Sequence, residues 1–365
     1  MSRPGNSNTL QERLIHWFRA NRRDLPWRRT YDPYHVWISE IMLQQTQMER
    51  GVAYFNRWVA RFPDVKSVAS ASRREILKYW EGLGYYSRAA NLHRAAAVIL
   101  SQYGGLVPCD YGRLLKLPGI GPYTAAAIAS VAGNVDVAAV DGNVLRVYAR
   151  LFDIDSPVRE KEGNTRIRKI ADNLLPKGMA RLYNQALMEL GGLVCTPKKP
   201  DCESCPVSGF CLALRRGTVA ERPVTGKSRK TIEVTRVAGL VFSGDDLLLL
   251  QRDEKAKLWA GLWDFPGREV EAGWTEDDVA EAVQSACGLA VRVKGHLATV
   301  VHHYTRYKIT LHAFGCELSG SSRSPAGQNK KNIKNFRWIK PEELADYPLP
   351  AGARKIREYL FTPDT

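Results

Sequence analysis

Apolar residues recur at helical spacing through the first two hundred positions of the chain. Leu14, Trp17 and Phe18 share one face, as do Ile38, Ile41 and Met42, and then Val52, Phe55 and Val59. This pattern predicts helices from Leu10 to about Leu214, with breaks at Asp24-Leu25-Pro26-Trp27 and Phe62-Pro63-Asp64. Gly217 to Lys230 carries Arg222, Lys227, Arg229 and Lys230 with Pro223 and Gly226, and reads as a linker. Beyond it the period changes. Val234 to Phe242 predicts a strand, Asp245-Asp246 a turn and Leu247 to Leu250 a second strand. Thr275 to Ala286 predicts a helix, with Thr275 as its cap and acids in its first turn. Val291-Arg292-Val293, Leu297 to His303 and Lys308 to Glu317 predict further strands. The expected architecture is therefore an all-α domain over 1–216, a basic linker over 217–231 and an α+β domain over 232–365, without internal repeats.

Composition narrows the function. The 365 residues are 44% hydrophobic and 25% charged, which suits a globular protein. The formal net charge of +15 favours a polyanionic partner, most simply nucleic acid. No apolar run approaches the ~18 residues of a membrane span. Met1 to Gln11 has no apolar signal core, and neither terminus reads as a basic amphipathic helix, so no membrane partner is expected. Seven cysteines without a secretory signal point to a reducing compartment. Cys109, Cys287 and Cys316 read as small core residues.

Cys195, Cys202, Cys205 and Cys211 stand as C-x6-C-x2-C-x5-C. Four thiolates close the shell of a [4Fe-4S] cluster. A zinc site of four cysteines usually comes as two close pairs, and here only Cys202 and Cys205 form one. An iron–sulfur cluster is the stronger reading; zinc, or four unrelated cysteines, are the alternatives.

Leu117-Pro118-Gly119-Ile120-Gly121-Pro122-Tyr123-Thr124-Ala125 sets a Pro-Gly-x-Gly turn before a helix of small residues. Gly119 and Gly121 allow close backbone approach, and the free N–H groups of the helix start suit a phosphate. This is the pattern of a helix–hairpin–helix, a sequence-independent grip on a DNA backbone. Further on, Val140-Asp141-Gly142-Asn143-Val144 places an acid between an apolar run and a helix. From local sequence Asp141 reads equally well as a helix N-cap; Asp136 has a similar claim without the Gly-Asn context.

Together these motifs resemble the endonuclease III superfamily of base-excision DNA glycosylases and, within it, the MutY family of adenine glycosylases, over nearly all of Leu10 to Arg354. The resemblance implies a role for Glu40 in Trp37-Ile38-Ser39-Glu40-Ile41-Met42-Leu43-Gln44-Gln45-Thr46. Glu40 would protonate the departing adenine at N7 and then help to activate water. Asp141 would stabilise the positive sugar, and Asn143 and Tyr123 would hold both acids, a two-carboxylate division of labour like that of glycoside hydrolysis. Members that cut the strand carry lysine where this chain has Tyr123, so base removal without strand cleavage is expected. Gln45, Thr46 and Tyr85 match wedge and partner-base positions on DNA, and Leu43 is expected to bind DNA with them. Leu25, Trp27, Arg28 and Gln185 match the adenine pocket, although glutamate is common in the family at the position of Gln185. Lys198 and Lys199, in the cysteine loop, would meet phosphates.

The second domain resembles Nudix (MutT-like) folds, entered at Leu258-Trp259-Ala260-Gly261-Leu262-Trp263-Asp264-Phe265-Pro266-Gly267. The stretch Glu281 to Gly288 lacks the glutamates that hold magnesium in a working hydrolase, so the domain is expected to read a base. Tyr304-Thr305-Arg306 stands where the family carries Phe-Ser-His, the loop that senses 8-oxoguanine. His302, His303 and His312 are not expected to bind metal. The implied partner is double-stranded DNA with A:8-oxoguanine or A:G mispairs, bound by a monomer on the bacterial nucleoid in the cytoplasm. A thymine-mismatch glycosylase of the same superfamily is the nearest rival. A non-catalytic iron–sulfur DNA-binding protein is the rival from another class, but it would have no need of both acids.

Overall fold

A computed structural model describes residues 9–226, 230–256, 258–304, 306–320, 323 and 333–361. The chain forms two compact units, one of residues 1–70 and 91–228, the other of 71–90 and 229–365.

The first unit opens with α1 (Leu10–Asn21), α2 (Pro26–Thr30), α3 (Pro33–Leu43), α4 (Met48–Arg61) and α5 (Val65–Ser70). Pro26 does not only break the chain: it begins α2, where its missing N–H costs nothing. The next helix, α6 (Arg73–Trp80), belongs to the second unit, and α7 (Ser87–Tyr103) starts there too. Then follow α8 (Tyr111–Leu114), α9 (Pro122–Gly133), α10 (Gly142–Leu151), α11 (Lys161–Leu174), α12 (Ala180–Leu193) and α13 (Leu212–Arg216). A core of Leu14, Phe18, Val147, Tyr148, Tyr183 and Leu187 joins α1, α10 and α12. Part of the expected linker is packed on this unit. Thr218 Oγ1 donates to Asp153 Oδ1 at 2.7 Å, Arg222 Nε lies 2.8 Å from the same carboxylate, and the Val158 amide donates to the Val224 carbonyl at 3.2 Å. Lys227 and Arg229 lie outside the described residues.

The second unit holds β1 (Ile232–Ser243), β2 (Asp246–Arg252), β3 (Trp263–Asp264), β4 (Gly267–Val270), α14 (Glu276–Cys287), β5 (Val291–Tyr304), β6 (Tyr307–Leu318), β7 (Ile333–Ile339) and α15 (Ala351–Phe361). The sheet runs β3-β2-β1-β6-β5, with β4 on β1 and β7 on β2; β1 and β6 are parallel and the other pairs antiparallel. Side chains alternate across it. Val237, Val241 and Leu248 meet Val279 and Val283 of α14, and Leu240, Leu249 and Leu311 meet Ile356 of α15. The segment 71–90 makes its contacts here: the Tyr86 hydroxyl donates to the Leu349 carbonyl at 2.9 Å and Glu81 Oε1 accepts from the Leu349 amide at 3.1 Å. Cys287 and Cys316 are buried as expected; Cys109 is only partly so.

Candidate active site

The site is assembled from three helix ends of the first unit. Asp32 caps α3, its Oδ1 accepting from the amides of Tyr34 at 2.9 Å and His35 at 3.1 Å. Val36, Trp37, Ile38, Ile41 and Met42 sink one side of that helix into the core. Glu40, Leu43 and Gln44, three and four residues apart, line instead a pocket of about 680 Å³. Gln45 and Thr46 continue its rim, and Gln45 is held in a left-handed backbone at φ 58°. Such a conformation is costly for a residue with a side chain and is typical of functional loops.

The second helix end is α9. Gly119 sits at φ 76°, and a Cβ there would come within 2.5 Å of the Asn91 side chain, so this turn requires glycine. Gly121 is the N-cap and Tyr123 falls in the first turn. The Tyr123 hydroxyl donates to Glu40 Oε2 at 3.0 Å. Beside it, Gln44 Nε2 donates to Thr124 Oγ1 at 3.3 Å, tying α3 to α9.

The third end is α10. Asp141 is its N-cap: Oδ1 accepts from the Val144 amide at 2.7 Å, and Oδ2 from Asn143 Nδ2 at 2.8 Å. Cap and pocket acid, alternatives in the sequence, are the same residue, because Asp141, Asn143 and Glu40 line one pocket. Buried Asn184 fixes the run ahead of Asp141, its amide donating to the Val137 carbonyl and its Oδ1 accepting from the Ala139 amide. Arg146 Nη2 donates to Asn143 Oδ1 at 2.9 Å while its Nε donates to the Cys195 carbonyl at 2.8 Å.

Burial acts on all three titratable groups, Glu40, Tyr123 and Asp141. Burial pushes the Glu40 carboxyl up to about 7; the Tyr123 hydrogen bond opposes this and the Asp141 charge adds to it. Burial also raises the Tyr123 phenol well above its ordinary range. The Asp141 carboxyl is raised too, burial outweighing the Val144 and Asn143 donors. A positive charge on a bound sugar would pull the Asp141 carboxyl back toward its ionised form.

Leu25, Trp27 and Arg28 line the same pocket, with Trp27 packed edge-on against Phe55 at 5.1 Å. Gln185 also lines it, but its amide donates to the Arg181 carbonyl at 2.8 Å. The acid on this wall is Glu189, one turn later, which no motif in the sequence singles out. Its buried carboxylate accepts from Arg23 Nε at 3.0 Å and Nη2 at 2.8 Å, and from Arg28 Nη1 at 3.0 Å and Nη2 at 2.9 Å. Burial works against its charge, yet the two guanidiniums more than offset that and hold it down at about 2.

Tyr85 belongs to the second unit, where its ring lies 5.9 Å from that of Tyr304, tilted by 36°. Tyr85 shares the left-handed backbone of Gln45, at φ 47°. Arg306 is exposed, with its guanidinium over the Tyr307 ring at 5.5 Å. Thr305 lies outside the described residues.

Cys195, Cys202, Cys205 and Cys211 line one apolar pocket beneath α10. Burial raises the thiols of Cys202, Cys205 and Cys211, that of Cys205 to about 11, so a bound cation is what would make thiolates of them. Among the described residues no three ligand side chains converge as a single ion requires. Four soft donors spread around a shared cavity instead suit a cluster with separate iron corners. Lys198 and Lys199 are exposed on the same loop.

Helix–hairpin–helix turn, two carboxyls in one pocket and a four-cysteine loop define a base-excision DNA glycosylase, joined here to a Nudix-like domain. Family models agree: the HhH-GPD superfamily of base excision DNA repair proteins matches residues 38–177, the iron-sulfur binding domain of endonuclease III matches 195–211, and the NUDIX domain matches 237–359. Adenine DNA glycosylase of Rattus norvegicus is 30% identical over 95% of this chain and 77% of its own length. That of Homo sapiens is 31% identical over 94% and 72%, and that of Buchnera aphidicola from Schizaphis graminum 33% over 71% and 74%. A solved thermostable thymine-DNA glycosylase is 31% identical with a TM-score of 0.52, covering 56% of this chain and 94% of that one. The chain belongs to the adenine DNA glycosylase family and carries a [4Fe-4S] cluster, whose binding domain matches the segment that holds Cys195, Cys202, Cys205 and Cys211.

Proposed function

We propose that the protein excises adenine from duplex DNA where it is mispaired with 8-oxoguanine or guanine, hydrolysing the N-glycosidic bond without cutting the strand. The observation that carries this reading is Glu40, its carboxyl raised to about 7, in one pocket with Asp141. Near neutral pH a substantial share of Glu40 holds its proton, which it delivers to N7 of a flipped-out adenine. The C1′–N9 bond then breaks with its electron pair leaving on the base. Asp141 faces the positive sugar, held by the Val144 amide and Asn143. Glu40, now a carboxylate beside the Tyr123 hydroxyl, takes the proton of the incoming water. Tyr123 has no amine for a Schiff base, which is why the strand stays whole.

The remaining residues have roles in holding DNA. Gly119 and Gly121 present the hairpin backbone to a phosphate, and Gln45, Thr46 and Tyr85 take the wedge and partner-base roles. Leu43, Trp27, Arg28 and Gln185 line the way to the acids. Tyr304, Thr305 and Arg306 read the opposite base. The cluster, when bound, supplies four fixed anchors for the loop that offers Lys198 and Lys199. A monomer acting on chromosomal DNA needs nothing more. The thymine-mismatch reading draws on the structural likeness, but that covers 56% of the chain, whereas the curated adenine glycosylases align over 94–95% of it in Homo sapiens and Rattus norvegicus.

Single-turnover release from A:8-oxoguanine, A:G, T:G and A:T duplexes, developed with alkali, tests the proposal. Adenine release opposite 8-oxoguanine, lost by about 10³-fold in Asp141→Asn and absent as strand breaks without alkali, is expected. Release from T:G alone would replace adenine by thymine as the substrate.

A further inference from the structure

Arg150 is 3% exposed, on the helix whose N-cap is Asp141. Its guanidinium donates to four backbone carbonyls and one cysteine sulfur. Nε donates to the carbonyls of Val219 at 3.2 Å and Arg222 at 3.0 Å, Nη1 to the carbonyl of Thr196 at 2.7 Å and to Cys195 Sγ at 3.3 Å, and Nη2 to the carbonyl of Pro197 at 3.1 Å. Its own carbonyl oxygen lies 3.3 Å from Cys211 Sγ. Among the described residues no carboxylate forms an ion pair with it; Asp153, three residues on, is taken by Arg216 and Arg222. A buried arginine without a counter-charge is expensive, because hydrogen bonds to neutral carbonyls offset only part of the desolvation of the ion.

We propose that Arg150 is the internal counter-ion of the iron–sulfur cluster and sets its reduction potential. The inference rests on the four cysteines holding that cluster. A cluster ligated by four thiolates carries net negative charge, and each more reduced state carries one charge more. The guanidinium beside Cys195 therefore stabilises the reduced member of any one-electron couple more than the oxidised one. The same group is a strap. It holds the first ligand, the loop behind it at Thr196 and Pro197, and the chain at Val219 and Arg222 on one positive charge. Loss of the cluster leaves that charge uncompensated, so the strap loosens with it. Arg146 differs: it reaches the Cys195 carbonyl rather than a sulfur, and its other end holds Asn143.

Arg150→Gln and Arg150→Lys in the full-length protein test this, with iron and acid-labile sulfide per chain, visible absorbance under air and the midpoint potential on a DNA-coated electrode as readouts. Wild type must first show equal iron and sulfide, since their absence would remove the cluster itself rather than the role of Arg150. Arg150→Gln is expected to hold its cluster with a midpoint lowered by at least about 59 mV, a tenfold change in the reduced-to-oxidised ratio, while Arg150→Lys stays near wild type. Cluster loss in Arg150→Gln with retention in Arg150→Lys also supports the charge role. Native iron content and potential in Arg150→Gln overturn it. Equal damage in both variants overturns it as well, because the hydrogen-bonding fork rather than the charge would then be what matters.

Discussion

Two glutamates line the same pocket and titrate at opposite ends of the carboxylate range. Glu40 stands at about 7 and Glu189 at about 2. Both are desolvated; what separates them is their partners. Glu40 has the neutral Tyr123 hydroxyl at 3.0 Å and the like charge of Asp141 nearby. Glu189 has two guanidiniums, each reaching it with two nitrogens. One wall of the pocket is built to keep a proton and the other to refuse one. On the proposed mechanism this difference suits Glu40 to proton transfer, while Glu189 holds Arg23 and Arg28 in place.

Removing the proton donor should have the largest effect. Glu40→Gln is expected to slow single-turnover adenine release by about 10²–10⁴-fold, the usual worth of a positioned acid or base. The wild-type rate should fall as pH rises through about 7, where Glu40 loses its proton, and the variant should lose that limb. The stability of the wild type should follow the same direction with pH. A carboxyl raised in the folded state contributes full stability below its unfolded value near 4.5, and that contribution is lost as pH rises through about 7. Glu40→Gln should therefore unfold at a higher temperature than wild type at pH 8 and show no such gain at pH 4. Equal shifts at both pH values would contradict a raised carboxyl.

Glu189→Gln breaks the comparison from the other wall. It strands two arginines, and removal of one partner from a buried ion network costs about 3–5 kcal/mol. Arg23 keeps part of its exposure, at 32% of its side chain, so the lower figure is expected. Here the folded carboxyl is depressed. Its contribution is present above the unfolded value near 4.5 and is lost as pH falls through about 2. Denaturant midpoints of the variant should lie well below wild type at pH 7 and converge with it in strong acid. A deficit unchanged by pH would mean that packing, not charge, was removed.

The comparison also marks what the sequence could tell. Glu40, through the family likeness of its segment, and Asp141, at the start of a helix, were legible as candidates, and both line one pocket. So were the four cysteines, whose spacing is itself the chemistry. Glu189 was not, because the arginines that define it are 166 and 161 residues away in the chain. In the same way the helical period of 73–80 could not say which unit that helix would join. Two short strands, 291–293 and 297–303, proved to be one: register shifts near Gly295 and Leu297 interrupt the alternation along β5 without ending it.

The smallest expected effect lies outside the pocket. Lys198 and Lys199 are exposed on the cysteine loop, with no ion pair among the described residues. The backbone beneath them is held, since Thr196 Oγ1 donates to the Lys199 carbonyl at 2.6 Å and Arg150 holds the carbonyls of Thr196 and Pro197. Under the proposed function this loop offers its two cations to phosphates as point charges, whatever the bases are. Replacing both by Ala should weaken binding of matched and mismatched duplexes alike. It should also reduce the slope of log affinity against log salt by about 2, one for each phosphate that a lysine no longer neutralises. The single-turnover rate at saturating protein should not change, because neither lysine lines the pocket. A salt slope equal to that of wild type would remove this loop from the DNA interface, and would leave the hairpin at Gly119 and Gly121 to carry the phosphate grip without it.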